Sequence, residues 1–126
     1  MKQYSNLQEV YDAAVAGLAS QEFQGCYVEI GICAYRGANG RKCAIGWCIP
    51  DEVYTPGMEE KSIRTLLREF GDRLKDVFPS SISEDILAEL QKCHDVPRED
   101  DPEGRRDMLR EFGRKFNLRI PESLTT

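Results

Sequence analysis

Residues 33–54, CAYRGANGRKCAIGWCIPDEVY, constrain the fold more than any other part of the chain, because they hold three of the five cysteines, the only tryptophan and the clearest turn signal. Gly37-Ala38-Asn39-Gly40 supplies residues that tolerate the left-handed backbone a tight turn needs. The run before it, residues 26–36, is rich in β-branched and aromatic residues, with Val28, Ile30, Ile32 and Ala34 on one side of an extended chain. Residues 41–47 form a second extended run, so the pair predicts a β-hairpin. In such a hairpin Cys33 shares a face with even-numbered residues of the return strand. Cys48 would join it if that strand continued so far, Cys43 would lie on the opposite face, and a Cys33–Cys43 disulfide is disfavoured. Pro50 followed by Asp51 and Glu52 suits the start of a helical turn over residues 49–54. The run then reads as the corner between a hairpin and the helices that follow.

Those helices announce themselves by period. Leu7, Val10, Tyr11, Ala14, Val15 and Leu18 recur at i, i+3, i+4, i+7, i+8 and i+11, predicting an amphipathic helix over residues 7–20, with Ser5 or Asn6 as its cap. Ile63, Leu66, Leu67, Phe70, Leu74, Val77 and Phe78 mark a second, weakened or ended at Gly71 and closed by Pro79. Ser81 and Glu84 have capping-box spacing ahead of a helix over residues 82–94. An acidic stretch, residues 98–101, leads to a last helix that Asp101 caps and Pro102 starts. Leu109, Phe112 and Phe116 form its buried stripe, with Met108 at the edge and Asn117 as a left-handed stop. The expected architecture is an α+β domain: a β-hairpin or small antiparallel sheet packed against about four helices. A chain of 126 residues suffices for one core, so residues 1–126 are expected to form a single compact domain.

Charge narrows the partners. The net charge is −5, yet residues 105–119 carry six basic and two acidic side chains, +4, which leaves −9 elsewhere. Such a polarised chain can offer an acidic face to a basic partner or a basic helix to an acidic one, or simply solvate its surface. The longest uncharged apolar-rich stretch, residues 30–35, is far below the roughly 18 residues that span a bilayer, and no apolar segment follows Lys2 as in a signal peptide. A cytoplasmic protein without membrane association is expected. The cysteines, Cys26, Cys33, Cys43, Cys48 and Cys93, are odd in number and lack C-x-x-C spacing, which suits reduced, buried thiols.

Three chemistries can be weighed on residue type. His94, the only histidine, lies between Cys93 and Asp95, the outline of a thiol nucleophile site. Adjacent helical residues diverge by about 100°, so the nucleophile would have to come from the hairpin. The alternative is a helix-end histidine at the foot of the Ile82, Ile86, Leu90 row. A zinc site drawn from Cys33, Cys43, Cys48 and Cys93 or His94 has the right ligand types without the usual paired spacing. Calcium-loop and phosphate-cradle patterns are missing, and no cofactor is expected. Arg106, Arg110 and Arg114 form an i, i+4, i+8 row that could meet phosphates, or be an exposed salt-bridged helix face with Asp107 and Glu111. Arg36, Arg41, Lys42 and Trp47 are the remaining candidate binding residues, Trp47 being either core packing or an interface contact.

Cys33-Ala34-Tyr35-Arg36-Gly37, Gly40-Arg41-Lys42-Cys43-Ala44-Ile45-Gly46, and Ile49-Pro50-Asp51-Glu52 with Tyr54 and Met58-Glu59 together resemble a group of small uncharacterised proteins encoded by tailed phages and prophages. Leu90-Gln91-Lys92-Cys93-His94-Asp95 and the closing Phe116-Asn117-Leu118 are similar to the same group. Trp47-Cys48 departs from it, standing where small or aliphatic residues are expected. The resemblance implies an accessory protein in a bacterial cytoplasm that binds a host or phage protein, with inhibition of a host defence complex, in the manner of an anti-CRISPR protein, as one form of that binding. It transfers no functional residue. A Cys/His enzyme or zinc protein, and a nucleic-acid-binding accessory protein, are the rival expectations.

Overall fold

The computed structural model describes residues 3–29, 32–98 and 100–125. Its first helix, α1 (Leu7–Ser20), has the predicted bounds. The Asn6 side chain accepts the Glu9 N–H, and Glu9 Oε1 accepts the Ser5 N–H, so two otherwise orphaned amides are satisfied reciprocally. The stripe is half-buried at Leu7 and then fully enclosed: Val10, Tyr11, Ala14, Val15 and Leu18 are all inaccessible to solvent.

The α+β expectation is corrected here, because the fold is helical. The extended pairing among the described residues is confined to β1 (Tyr27–Glu29) and β2 (Ile32–Cys33), antiparallel, with Tyr27 opposite Cys33 and Glu29 opposite Ile32. Both lie within the run read as one strand, so the reversal of direction comes earlier than residues 37–40, and a ladder this small is no layer to pack helices on. Ile30 falls outside the described residues. So does the Cys33 side chain, and with it the expected placement of Cys33 relative to Cys48 and Cys43.

Residues 41–47 form no return strand, for a local reason. A ladder needs free backbone amides, and side chains have claimed these: Gln21 Oε1 accepts the Lys42 N–H at 3.0 Å and Gln91 Oε1 accepts the Ile45 N–H at 2.9 Å. The turn itself is present. Ala38–Gly40 is a short 3₁₀ segment with Asn39 and Gly40 left-handed (φ 61° and 75°), closed by the Gly37 N–H donating to the Arg41 carbonyl. The chain then enters a second 3₁₀ segment, Gly46–Cys48. Residues 49–54 form the expected single turn, with the Val53 and Tyr54 amides both on the Pro50 carbonyl.

A 3₁₀ turn, Pro56–Met58, leads into α2 (Ile63–Glu69) and α3 (Gly71–Leu74), which meet at Phe70, one residue before Gly71, where the sequence predicted a weakening or end. Helix α4 (Glu84–Asp95) starts later than the capping-box spacing implies: Ser83 caps it by accepting the Ile86 N–H, while Ile82 is held in the preceding turn by the Pro79 carbonyl with its side chain in the core. Helix α5 (Pro102–Lys115) has the predicted Asp101 cap, here on the Gly104 N–H, and Asn117 as a left-handed stop at φ 56°. After it, the 3₁₀ turn Glu122–Leu124 buries Leu124.

Helix α4 lies between α2 and α5, and α1 packs on the Gly46–Cys48 turn. Buried residues from Val10 to Leu124 form one continuous cluster, with Tyr11 stacked on Phe112 at 5.6 Å between centroids. Among the described residues no helix is long and apolar enough to cross a membrane.

Candidate functional site

Helix α4 presents one polar row to the distinctive run. Gln91 and His94 are three residues apart, and Gln91 and Asp95 four, so all three crowd one face near the C-terminal end. Asp95 Oδ1 accepts from Gln91 Nε2 at 3.0 Å and contacts His94 Nδ1 at 2.8 Å. Gln91, oriented in this way, turns its oxygen to the Ile45 amide. His94, inaccessible to solvent, accepts the Cys26 N–H on Nε2 at 2.9 Å. An amide nitrogen can only donate, so Nε2 carries a lone pair, and the ring proton sits on Nδ1 facing the carboxylate. One carboxylate therefore fixes two acceptors that hold residues 26–45 at both ends. Arg105 of α5, also fully buried, completes the corner by donating from Nε to the His94 carbonyl at 3.1 Å and from Nη1 to the Phe23 carbonyl at 3.4 Å.

The run's own residues are fastened by Glu59. Its carboxylate accepts the Tyr35 N–H at 2.9 Å, the Arg36 N–H at 3.0 Å and the Tyr54 hydroxyl. Arg36 donates to the Ile49 carbonyl at 2.9 Å, pairs with Asp51 at 2.7 Å and lies 4.4 Å from the Tyr54 ring centroid. Trp47 is half-buried: its indole N–H donates to Gln21 at 3.0 Å, Lys42 Nζ stands 4.4 Å from the ring centroid, and α1 approaches it at Gly17, where a Cβ would lie 2.2 Å from Cγ. Trp47 and Lys42 thus pack on each other and on α1. Arg41 stays exposed at the turn, on the edge of a hollow of about 380 Å³ that Trp47 also lines.

The basic row is engaged within the molecule. Arg106 pairs with Glu103 at 3.3 Å and donates to the Ser123 carbonyl, and Arg110 pairs with Asp107 and donates to the Leu124 carbonyl. Arg114 pairs with Glu111 at 2.6 Å on the open surface. Each acid sits three residues before its arginine, so the row is three short-range ion pairs, two of which also tie down the segment after α5. Of the seven residues singled out in the sequence, Arg36, Lys42 and Trp47 are held by the run itself and by Gln21, whereas Arg106, Arg110 and Arg114 are held by acids of α5, with Arg106 also 5.3 Å from the Phe23 ring centroid.

A feature that the sequence reading missed is a groove of about 620 Å³ between α4 and the segment entering α2. Ala88, Gln91, Lys92 and Asp95 form one wall, Glu60, Lys61 and Arg64 the other, and Tyr35, Cys43 and Ile63 contribute its apolar part. The signal was present: residues 88, 91, 92 and 95 share a helical face next to the Leu87, Leu90, His94 stripe.

The described thiols are closed off. Burial pushes Cys48 and Cys93 up to about 12, raises Cys43 well above the ordinary thiol value, and with the Glu59 charge takes Cys26 to about 11. Cys26, Cys43, Cys48 and Cys93 are free, and among the described residues no three His, Cys, Asp or Glu side chains are grouped to hold a metal ion. A thiolate is the reactive form, so these four cysteines are expected to resist a thiol reagent in native buffer and to react at once in denaturant. The same shifts set an alkaline limit. The folded state keeps its thiol protons beyond about pH 8.5, where unfolded thiols lose theirs, so stability falls as pH rises above that value, by about 1.4 kcal/mol per pH unit for each fully enclosed thiol. Urea titrations at pH 8 and pH 10, which lie on either side of about 8.5, check it.

No family model, no curated protein and no solved structure matches the chain.

Proposed function

We propose that this protein works by binding another protein, as a phage-type accessory protein in a bacterial cytoplasm whose target is a host defence complex. The observation that carries the reading is the mixed-sign groove beside α4. Lys61, Arg64 and Lys92 stand with Glu60 and Asp95 around an apolar part, a composition that suits a protein surface of alternating charge better than a uniformly anionic nucleic acid. Arg64 is itself paired with Glu84 and Asp85 and Lys61 with Glu69, so acids stand beside the groove's cations, and Arg106 and Arg110 are likewise committed to acids and carbonyls; neither surface is the uniformly cationic one that a nucleic acid favours. A Cys/His chemistry draws no comparable support, since His94 has its Nε2 lone pair on a backbone amide and the described thiols are buried.

The test is a pull-down from a phage-susceptible bacterial host with the wild-type chain and with Arg64→Glu/Lys92→Glu, both sites exposed. A partner retained by the wild type and lost by the double variant is the expected result, with unchanged circular dichroism for the variant. No partner above background, or salt-sensitive retention of nucleic acid in its place, overturns the reading.

A further inference from the structure

Among the polar side chains that hold residues 26–45, which include the Glu59 carboxylate at the Tyr35 and Arg36 amides, His94 is the one whose acceptor is a ring nitrogen that a proton would close. The Gln91 amide that grips the Ile45 end has no proton to gain in ordinary buffers. The imidazole that grips the Cys26 end does, and its Nε2 is usable only while unprotonated, because it faces the Cys26 N–H at 2.9 Å. We propose that His94 is an acid-operated latch: on protonation the Cys26 end of the segment is released from α4, while the Ile45 end stays bound.

The donor and acceptor pattern carries this inference. With a proton on Nε2 two donors would face each other, and the hydrogen bond becomes a repulsive contact inside the core. The described groups that face His94 are Asp95, on the same helix and in contact with Nδ1, Arg105, entering from α5 with its Nε on the His94 carbonyl, and on the segment side the Cys26 thiol, which burial keeps neutral at acid pH. The latched form needs the Nε2 lone pair for the Cys26 N–H, whereas the released form leaves Nε2 open to a proton. By linkage, acid then favours release. Tyr35 and Cys43 of this segment, with Gln91 and Asp95, also line the groove, but the latch is read at the Cys26 amide and needs no bound partner, so it stands or falls separately from the binding reading.

The experiment is amide-exchange protection and imidazole nitrogen chemical shifts of the intact protein, followed from about pH 8 to about pH 5, the range in which histidines ordinarily titrate. At the upper end the ring is expected as the Nδ1–H tautomer. As it gains its second proton, the protection of the Cys26 amide should fall at least about tenfold in step, with the Ile45 amide still protected. In His94→Gln, which can offer an oxygen but no titratable nitrogen, the pH dependence at Cys26 should vanish. If that variant fails to fold, the wild-type comparison of Cys26 with Ile45 decides alone. Ring protonation with Cys26 still protected, loss of both amides together, or persistence of the effect in His94→Gln would each overturn the proposal.

Discussion

Arg105→Ala should lower the unfolding free energy by about 3–5 kcal/mol, enough to bring a small domain close to its unfolding threshold. The guanidinium is inaccessible to solvent and donates to two carbonyls from different elements, His94 at the last turn of α4 and Phe23 just after α1. The carbonyls of a helix's last turn lack intrahelical partners, and a cation there also meets the negative end of the helix dipole. Removing the side chain takes away hydrogen bonds from a charged donor, each worth about 1.5–3 kcal/mol, and opens a cavity in a packed core. The cation's own desolvation cost offsets part of the loss, which is why the figure stays below the sum. Arg105→Met separates the contributions: it restores volume without donors, so it should recover the cavity part only. Equilibrium urea unfolding of the two variants, read at constant m-value, measures both. If Arg105→Ala costs less than about 1 kcal/mol, the residue is a solvated surface charge and the corner described here is wrongly drawn.

Arg105 also shows where sequence reasoning lost the thread. It belongs to a cluster of six basic residues, and arginine is seldom buried, so composition places it outside. Its position says otherwise. Residues 105, 109, 112 and 116 are spaced at i, i+4, i+7 and i+11, which puts Arg105 in register with the Leu109, Phe112 and Phe116 stripe. Period and chemistry disagreed at one residue, and such disagreement is itself the mark of a buried polar side chain. Gln91 and His94 carry the same mark on α4, where they continue the Leu87 and Leu90 stripe. Glu59 and Gln21 carry none, because they act through backbone amides of residues distant in sequence.

Helices α1 and α5 were legible because each combines an apolar period with a cap, two signals that depend only on neighbours in sequence, whereas α2 and α4 were legible by period alone, their caps being Ser62 and Ser83. Asn6, Asp101 and Asn117 take the roles their positions suggest. The hairpin was misread because alternation of apolar residues is a statement about one strand, whereas a ladder also needs a partner with unclaimed amides. Lys42 and Ile45 have theirs taken by Gln21 and Gln91, contacts 21 and 46 residues apart that no local window contains. The groove was illegible for a related reason: one wall lies on α4 and the other on the residues entering α2, and only tertiary packing brings them face to face.

Gly46→Ala should be the most disruptive single-methyl change in the run, costing about 3–5 kcal/mol, near the upper end for any point substitution. A Cβ built at Gly46 falls 2.0 Å from the Tyr35 carbonyl oxygen and 2.9 Å from its carbon, so the obstacle is backbone and no rotamer change relieves it. The Tyr35 backbone is itself pinned, since its amide and that of Arg36 both rest on Glu59, and the Gly46 side is pinned by Ile45 on Gln91. Relief must therefore break one of these polar contacts, which couples the substitution to the α4 row and makes its cost larger than a surface clash of the same depth. Two other glycines serve as controls. Gly71→Ala, with open space around the added methyl and an ordinary helical backbone, should be neutral or stabilising by up to about 1 kcal/mol. Gly40→Ala also meets no atom within 4 Å but must adopt φ 75°, so about 1–2 kcal/mol of conformational strain is expected there. Thermal melts of the three variants should thus rank Gly71→Ala, Gly40→Ala, Gly46→Ala from most to least stable. A Gly46→Ala protein as stable as the Gly40→Ala one would mean that residues 35 and 46 do not meet, and that the distinctive run is held to the helices in some other way.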